Sequence, residues 1–247
     1  MAAESARPEP AQSSARGDDT RHRLVDAALH IFGSYGFEGA STRAVADRAG
    51  ANLASIPYYF GSKEGLYRAV AQSIVEDGSR EMLPIIQRID ESLVGKHLDR
   101  ESALTLLHEL LDTFSTMVIG SRRALSWSRF IMREQLQPGS AFEILFEGLM
   151  RRIGQTFVKI LAYLTGNSTT DPRIAVLAQM VLGQALIFHN CGESVLRLLA
   201  WKEFSADKVS LIQAVLRDNV DLILAAPRFK RASTVARKPR RKGSRHE

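Results

Sequence analysis

Apolar residues recur at intervals of three and four along most of the chain from residue 20 to residue 226. This spacing is typical of amphipathic helices, and no segment shows the alternation of apolar and polar residues that a half-buried strand requires. Glycine, proline and capping residues divide the pattern into segments of helix length. We therefore predict an all-α protein made of several helices.

The first three helices are predicted over residues 20–36, 42–49 and 53–60. A longer helical segment begins at Lys63, and we expect it to kink or break between Gly78 and Pro84. Further helices are predicted over residues 101–119, 121–135, 140–165, 171–188, 194–201 and 205–223.

Residues 42–63 have the form of two short helices joined by a tight turn, which is the pattern of a helix-turn-helix. Ser41 or Thr42 can cap the first helix, and Gly50 follows where that helix must end. Asn52 can cap the second helix. Small residues at the contact positions allow the two helices to cross closely, so the second helix can present its outer side to DNA.

After a second break the chain enters a third helix, in whose first turn Lys63 can share a phosphate with free backbone N–H groups. The outer side of the second helix carries small and aromatic residues. The predicted DNA contacts are Thr42, Arg43, Asn52, Ala54, Ser55, Pro57, Tyr58, Tyr59 and Lys63.

Residues 49–67 read AGANLASIPYYFGSKEGLY, and this run closely resembles the DNA-binding domain of the TetR family of bacterial regulators. The resemblance extends back to Thr20, and a weaker resemblance to the CecR branch continues through SRFIMREQL at residues 128–136. Pro57 departs from the pattern, because many TetR-like proteins have an aromatic residue there. Proline in the helix removes a backbone hydrogen bond, so we expect a short or tightened helix.

The resemblance implies a homodimer whose N-terminal domains bind a palindromic double-stranded DNA operator. It also implies a C-terminal domain that dimerises and binds a small, largely apolar effector, with repression released by that ligand. The similarity to the CecR branch further implies control of transport or efflux genes, which is a weaker inference because fold does not determine function.

Aromatic and apolar residues are frequent between residues 101 and 188. Core packing explains most of them, and only the resemblance implies an effector cavity. The candidate effector contacts are His108, Phe114, Trp127, Phe130, Phe146 and His189. Arg129, Arg133 and Glu134 are further polar candidates, although such residues more often satisfy structural hydrogen bonds.

The predicted helices of residues 171–188 and 205–223 are apolar over more of their circumference than one core can cover. We expect them to form a four-helix bundle with the same pair from a second copy of the chain. This expectation agrees with the homodimer that the resemblance implies.

The net charge of +6 is concentrated at the C-terminus, where residues 227–247 carry nine Lys and Arg against one Glu. The rest of the chain is slightly acidic, so the overall charge is poor evidence for DNA binding. We divide the chain into a disordered leader at 1–18, a helix-turn-helix DNA-binding domain at 19–66, a ligand-binding and dimerisation domain at 67–226 and a basic disordered tail at 227–247.

No apolar run reaches the ~20 residues that a membrane span requires, and the N-terminus lacks the apolar core of a signal peptide. The single cysteine, Cys191, has no partner for an intrachain disulfide. We therefore expect a cytoplasmic protein without a membrane partner.

The six histidines and Cys191 show no metal-ligand spacing, and the sequence contains no phosphate-binding glycine loop, nucleophile elbow or paired carboxylates. We therefore expect no metal, no cofactor and no enzymatic activity. Two alternatives stay open. One is a helical enzyme acting on a hydrophobic small molecule, and the other is a ligand-blind architectural DNA binder held by the basic tail.

Overall fold

A computed structural model describes residues 10–95, 98–120 and 122–226. Every regular element in those ranges is a helix, which confirms the all-α prediction. The elements in chain order are α1 (Pro10–Gly39), α2 (Thr42–Ala49), α3 (Ser55–Phe60), α4 (Lys63–Val94), α5 (Arg100–Ile119), α6 (Arg122–Leu136), α7 (Phe142–Leu145), a π-helical turn (Phe146–Met150), α8 (Arg151–Thr165), α9 (Pro172–Asn190), α10 (Gly192–Leu198) and α11 (Ala206–Ala225). The basic tail predicted at 227–247 lies outside the described residues, as do residues 1–9 of the leader.

α1 is longer than predicted, since it begins at Pro10 instead of Thr20. Residues 10–18, which we expected to be disordered, therefore belong to this helix. Proline suits the first turn because its missing N–H is not needed there, and the Ala and Arg residues that follow favour helix. The added turns contact the DNA-binding domain, because a Cβ at Gly17 would lie 3.4 Å from the hydroxyl of Tyr59.

The helical geometry of α1 is interrupted at Gly36, which has φ of 75° and ψ of 177°. The helix that we predicted to end at Gly36 therefore changes direction there, and helical turns resume up to Gly39. A side chain at Gly36 would also collide with α6, because its Cβ would lie 2.8 Å from Nη1 of Arg133. The chain thus turns where α1 meets the C-terminal domain.

α4 is a single helix of 32 residues, so the break that we expected between Gly78 and Pro84 is wrong. Pro84 is exposed, and water can bond the carbonyl that loses its partner there. Gly78 permits a close helix crossing, because a Cβ there would lie 2.7 Å from Cδ2 of Leu149. The contact is reciprocal, since a Cβ at Gly148 would lie 2.6 Å from Cγ1 of Val75 on α4.

The single helix predicted over residues 140–165 is divided into α7, the π-helical turn and α8. A π turn contains more residues than an α turn, so consecutive side chains are separated by a smaller angle. Gly148 and Leu149, which are neighbours in this turn, can therefore both face α4. The sequence has no pattern that distinguishes such a turn from ordinary helix.

The C-terminal domain is a bundle in which α5 packs against α4, α8, α9 and α11. Leu107, Leu110 and Leu111 on α5 are completely buried in it. α6 reaches from this bundle to α1 and packs along it. α4 and α6 are thus the helices that join the DNA-binding domain to the bundle.

Gly148→Ala should destabilise the protein, because its new methyl group would lie 2.6 Å from Cγ1 of Val75 and a helix would have to move. Overpacking of this kind costs about 1–3 kcal/mol, which outweighs the gain of about 1 kcal/mol from replacing a helical glycine by alanine. The midpoint of thermal unfolding, followed by circular dichroism, measures the difference.

Gly154→Ala is the matched control, since the nearest atom to its new Cβ would be Nε2 of Gln179 at 3.8 Å. We expect this variant to unfold at a slightly higher temperature than the wild-type protein. An equal rise for both variants would contradict the close crossing of α4 and the π-helical turn.

Candidate DNA-binding surface and effector region

Both ends of α2 are capped. Oγ of Ser41 accepts a hydrogen bond from the backbone N–H of Ala44 at 3.1 Å, so Ser41 and not Thr42 is the cap. Gly50 adopts the left-handed conformation, with φ of 59°, that ends the helix. α2 is therefore a defined short helix with an abrupt reversal after it.

α3 begins at Ser55, two residues later than predicted. Asn52 forms the turn before the helix, because its Oδ1 accepts a hydrogen bond from the N–H of Ala54 at 2.9 Å. Pro57 lies in the first turn, where its missing N–H costs little. The helix ends at Phe60 as predicted and has six residues, so it is short as we expected.

The link from α3 to α4 positions Lys63. Gly61 has φ of 74°, and Oγ of Ser62 accepts a hydrogen bond from the N–H of Gly65 at 3.0 Å, which caps α4. A Cβ at Gly65 would lie 2.0 Å from the carbonyl oxygen of Phe60. Only glycine therefore permits this return of the chain, which places Lys63 as the first residue of α4.

An open cavity of about 600 Å³ lies between the start of α2, the turn before α3 and the start of α4. Five of the nine predicted DNA contacts line it. They are Thr42, Asn52, Ala54, Pro57 and Lys63. The other four are Arg43, Ser55, Tyr58 and Tyr59, of which Arg43 and Tyr58 are exposed and Ser55 and Tyr59 are partly buried. The fold thus brings most of the predicted set to one concave surface.

The two neighbouring tyrosines of α3 have different surroundings. The Tyr58 side chain is 80% exposed, so its ring is available to a partner molecule. Tyr59 is partly buried, and its hydroxyl lies close to Gly17 of α1. The two rings meet edge to face with centroids 4.8 Å apart. Tyr59 thus supports α1 and the ring of Tyr58, whereas Tyr58 can reach DNA.

The Lys63 ammonium is held by the end of α1. Its Nζ donates a hydrogen bond to the Glu38 carbonyl at 3.4 Å and lies 4.7 Å from the centroid of the Phe37 ring. These partners precede Lys63 by about two dozen residues in the chain, so the local sequence pattern contains no signal for them. A phosphate contact requires the ammonium to share or leave these partners.

Arg23 is a structural contact of the DNA-binding domain that the sequence did not single out. Its Nη1 donates a hydrogen bond to the Ala49 carbonyl at 3.0 Å, and its Nε pairs with Asp19 at 3.1 Å. A cation at the C-terminal end of a helix is favoured by the helix dipole. Arg23 therefore holds α2 against α1.

Three of the six candidate effector contacts are core residues, because Phe114 and Trp127 are 5% and 7% exposed and Phe130 is completely buried. Phe130 packs on Tyr67, with ring centroids 4.6 Å apart. Nε1 of Trp127 is buried and has no hydrogen-bond partner among the described residues. An unpaired buried donor costs free energy, so an acceptor brought by a bound molecule would be favoured here.

Two other candidates lie away from any common cavity. Nε2 of His108 is 2.8 Å from Oδ1 of Asp221, a contact that joins α5 to α11. Phe146 is partly exposed and stacks on Phe142, with centroids 5.8 Å apart. The Arg151 guanidinium covers the Phe146 ring at 5.0 Å. Both residues therefore have structural partners.

His189 is the last of the six. Burial lowers the pKa of its imidazole, and a hydrogen bond with the backbone of Val118 acts in the opposite direction. A cavity of about 660 Å³ opens between α1, α4 and α6, but none of the six candidates lines it. The described residues contain no group of three or more His, Cys, Asp and Glu side chains that could hold a metal ion.

These features define the class of protein. Two short helices with a sharp turn between them, an exposed outer side on the second helix and a lysine at the start of the next helix form a helix-turn-helix domain. The class binds DNA by placing the second helix in the major groove.

Comparison with known proteins gives the family. Residues 24–70 match the family described as bacterial regulatory proteins, tetR family, and residues 103–227 match the C-terminal domain of the HTH-type transcriptional dual regulator CecR. The chain belongs to the TetR family of transcriptional regulators, with a C-terminal domain of the CecR type. It is therefore a DNA-binding transcriptional regulator, which confirms the predicted resemblance.

The HTH-type transcriptional dual regulator CecR of Shigella flexneri is 31% identical over 209 residues, which cover 85% of this chain and 93% of the relative. A TetR-family regulator from Mesorhizobium loti MAFF303099 has a TM-score of 0.54 at 19% identity, covering 85% of this chain and 97% of that one. Bacillus subtilis FadR, solved in complex with stearoyl-CoA, has a TM-score of 0.51 at 17% identity, covering 83% and 97%. At these identities the two solved structures support the fold alone.

Proposed function

We propose that the protein is a homodimeric repressor that binds a palindromic DNA operator and releases it when a small apolar effector binds the C-terminal domain. The observation that supports this most directly is the concave surface formed by α2, α3 and the start of α4, which carries five of the nine predicted DNA contacts. As a weaker part of the proposal, the resemblance to the CecR branch implies a cytoplasmic regulator of transport or efflux genes.

On DNA, α3 would enter the major groove with its exposed side toward the bases. Ala54, Pro57 and Tyr58 are among the exposed residues of this side and its preceding turn. Arg43 and Lys63 lie on flanking helices and would contact the phosphate backbone. Sequence readout would then come mainly from short and rigid side chains, while Arg43 and Lys63 would fix the position of the domain along the DNA.

Lys63→Ala should weaken binding to all DNA sequences alike and reduce the salt dependence of binding by about one phosphate contact. Tyr58→Ala should also weaken binding, because the most exposed ring of α3 would be lost. Fluorescence anisotropy with the DNA upstream of the protein's own gene, repeated over a series of salt concentrations, measures both effects.

Lys208→Ala is the control for Lys63→Ala. The Lys208 ammonium also lies over an aromatic ring, 5.2 Å from the centroid of Trp201, but it belongs to the C-terminal domain. Its loss should leave DNA affinity and salt dependence unchanged. If Lys63→Ala and Tyr58→Ala both bind as tightly as the wild-type protein, α3 does not dock as proposed.

The dimer proposal rests on the orientation of α11. Its polar side faces α5, where Nε2 of Gln213 donates to the Asp112 carbonyl at 3.0 Å and Nη1 of Arg217 donates to Oδ2 of Asp112 at 2.5 Å. Asp221 continues this row through its contact with His108. The hydrogen-bonding row of the helix is thus turned toward the bundle.

Large apolar residues occupy the outer side of α11. They are Leu211, Val215 and Leu222, which are 51%, 58% and 73% exposed. α9 has a similar row formed by Val176, Met180 and Ile187, which are 59%, 58% and 47% exposed. Nδ2 of Asn219 donates a hydrogen bond to Oε1 of Gln184 at 2.8 Å, which joins the two helices between the rows. The rows therefore form one apolar surface of the kind that a second copy would cover.

α9 is long and apolar enough to cross a membrane by length and composition alone. Its contacts with α5 and α8 place it in the helical bundle instead. We therefore attribute its exposed apolar row to the dimer interface.

Val215→Asp should separate the dimer, because the new carboxylate would be buried without a partner in the four-helix interface. Operator binding should then fall steeply, since one domain alone makes too few contacts. Sedimentation velocity at micromolar concentration measures the oligomeric state.

Val94→Asp is the matched control, because Val94 is 86% exposed at the end of α4 and lies on neither row. It should leave the sedimentation coefficient and operator affinity unchanged. A wild-type protein that sediments as a monomer would rule out this interface.

Effector binding would reach the DNA-binding domain through α4. This helix begins with Lys63, crosses the π-helical turn at Gly78 and continues through Ile85, Ile86 and Ile89, which are buried in the bundle. A ligand wedged beside the aromatic residues of the bundle would tilt α4 and change the separation of the two reading helices. A hundredfold loss of operator affinity needs only about 2.7 kcal/mol of differential binding.

Trp127→Phe should weaken the effector response while leaving effector-free operator binding intact, because it removes the unpaired indole N–H and retains a large ring. Stearoyl-CoA is the first probe, since it is the ligand in the FadR structure. Anisotropy of the labelled operator with and without the probe measures the response.

Trp201→Phe is the control, because Trp201 is the other tryptophan of the chain and packs against Phe204 near α10. It should respond as the wild-type protein does. A Trp127→Phe variant with an unaltered response would make Trp127 an ordinary core residue. A wild-type protein that is insensitive to stearoyl-CoA would exclude the acyl-CoA class as effector.

A further inference from the structure

The cavity of about 660 Å³ between α1, α4 and α6 is lined by none of the six main effector candidates and by none of the nine predicted DNA contacts. Arg133 and Glu134, the further polar effector candidates, do line it. Its volume is within the range of roughly 300–1,000 Å³ that is typical of small-molecule sites. The DNA-binding domain contributes one wall, with Tyr35, Phe37 and Glu38 of α1. The end of α6 and the segment after it form the opposite wall, and Glu64 and Tyr67 of α4 lie between them.

Glu134 is the most unusual residue of this cavity, since it is a charged residue type that is only 3% exposed. Oε1 accepts a hydrogen bond from the Tyr67 hydroxyl at 2.6 Å, and Oε2 accepts one from the N–H of Gly139 at 3.0 Å. Burial and this contact with Glu134 raise the pKa of the Tyr67 hydroxyl, which therefore keeps its proton. No Lys or Arg of the described residues forms an ion pair with Glu134, although buried carboxylates usually have a cationic partner.

The other charges of the cavity are mostly negative. Glu38 and Glu64 are exposed at its rim, and Arg133 is the one cation among the lining residues. The Arg133 guanidinium is directed to α1, where Nε donates to the Gly33 carbonyl at 3.2 Å and Nη2 donates to the Ser34 carbonyl at 3.0 Å. Nε and Nη2 are thus committed to the backbone, and Arg133 forms no ion pair with Glu134 among the described contacts.

Aromatic rings complete the lining. Tyr35, Phe37 and Tyr67 all border the cavity, and ring faces attract cations. A cation already uses one of them, because the Lys63 ammonium lies 4.7 Å from the centroid of the Phe37 ring. The surroundings therefore suit an organic cation better than an anion or a neutral molecule.

We propose that this interdomain cavity binds a small organic ammonium ion that carries an aromatic or apolar group. Its charge would be paired with Glu134, Glu38 and Glu64, and its apolar part would lie against Tyr35 and Tyr67. The site differs from the effector position proposed beside Trp127, which does not line this cavity. Because its walls belong to both domains, an occupant would stabilise their present arrangement.

Phenethylammonium and 2-phenylethanol are suitable probes, since they have nearly the same shape and only the first is charged. Isothermal titration calorimetry with the full-length wild-type protein at low salt should show binding of phenethylammonium and much weaker binding of the alcohol. Added salt should weaken the amine selectively. Glu134→Gln keeps an acceptor for Tyr67 but removes the charge, so it should reduce amine affinity by about tenfold or more.

Glu101→Gln is the matched control, because Glu101 is an exposed first-turn residue of α5, as Glu64 is of α4, and does not line the cavity. It should bind the amine as the wild-type protein does. If Glu134→Gln loses the helical signal in circular dichroism, the amine affinity of the double variant Glu38→Gln/Glu64→Gln tests the proposal instead. Both side chains are exposed, so their replacement should not unfold the protein.

Equal affinity for the amine and the alcohol would overturn the proposal, as would absence of binding by both. Amine binding that is unaffected by the Glu134 and rim variants would place the amine elsewhere and overturn it too. The calorimetry contains no DNA, so its outcome is independent of whether the operator and effector proposals hold.

Discussion

The close crossing of α4 and the π-helical turn is the contact on which the arrangement of the two domains depends. Each partner contributes a glycine and an aliphatic side chain, with Gly78 facing Leu149 and Gly148 facing Val75. Neither helix can rotate or slide at this point without a collision, since packed interiors respond in discrete steps. Because α4 is unbroken from Lys63 to the bundle, a displacement at the crossing must move the DNA-binding domain as a whole.

A second connection joins the same two domains through consecutive residues at the end of α6. Arg133 holds the backbone carbonyls of Gly33 and Ser34 on α1, and Glu134 holds the hydroxyl of Tyr67 on α4. Residues that are adjacent in the chain thus fix both helices of the DNA-binding domain that approach the bundle. The orientation of this domain is therefore determined by α4 and α6 together. A displacement of either helix would change the position of the other through these contacts.

The sequence was informative where the determinants are local. Ser41, Gly50, Gly61 and the helical spacing of apolar residues act within a few residues, so the helix-turn-helix and the all-α class could be predicted. The continuity of α4 could not be predicted, because Gly78 serves a contact with residues some seventy positions later in the chain. The same limit applies to the effector candidates, since periodicity identifies buried aromatic residues but not whether a cavity separates them.

The weak cationic character of the predicted DNA contacts explains why the proposed operator binding requires the proposed dimer. Arg43 and Lys63 are the cations among the predicted contacts, and the Lys63 ammonium already has partners in α1. One domain would therefore release few counterions, and useful affinity needs two domains that meet successive half-sites about 34 Å apart. In the proposed mechanism, effector binding would not have to alter either reading surface. A small tilt of α4 at the crossing would be enough, because it would change the spacing on which simultaneous binding by both proposed domains depends.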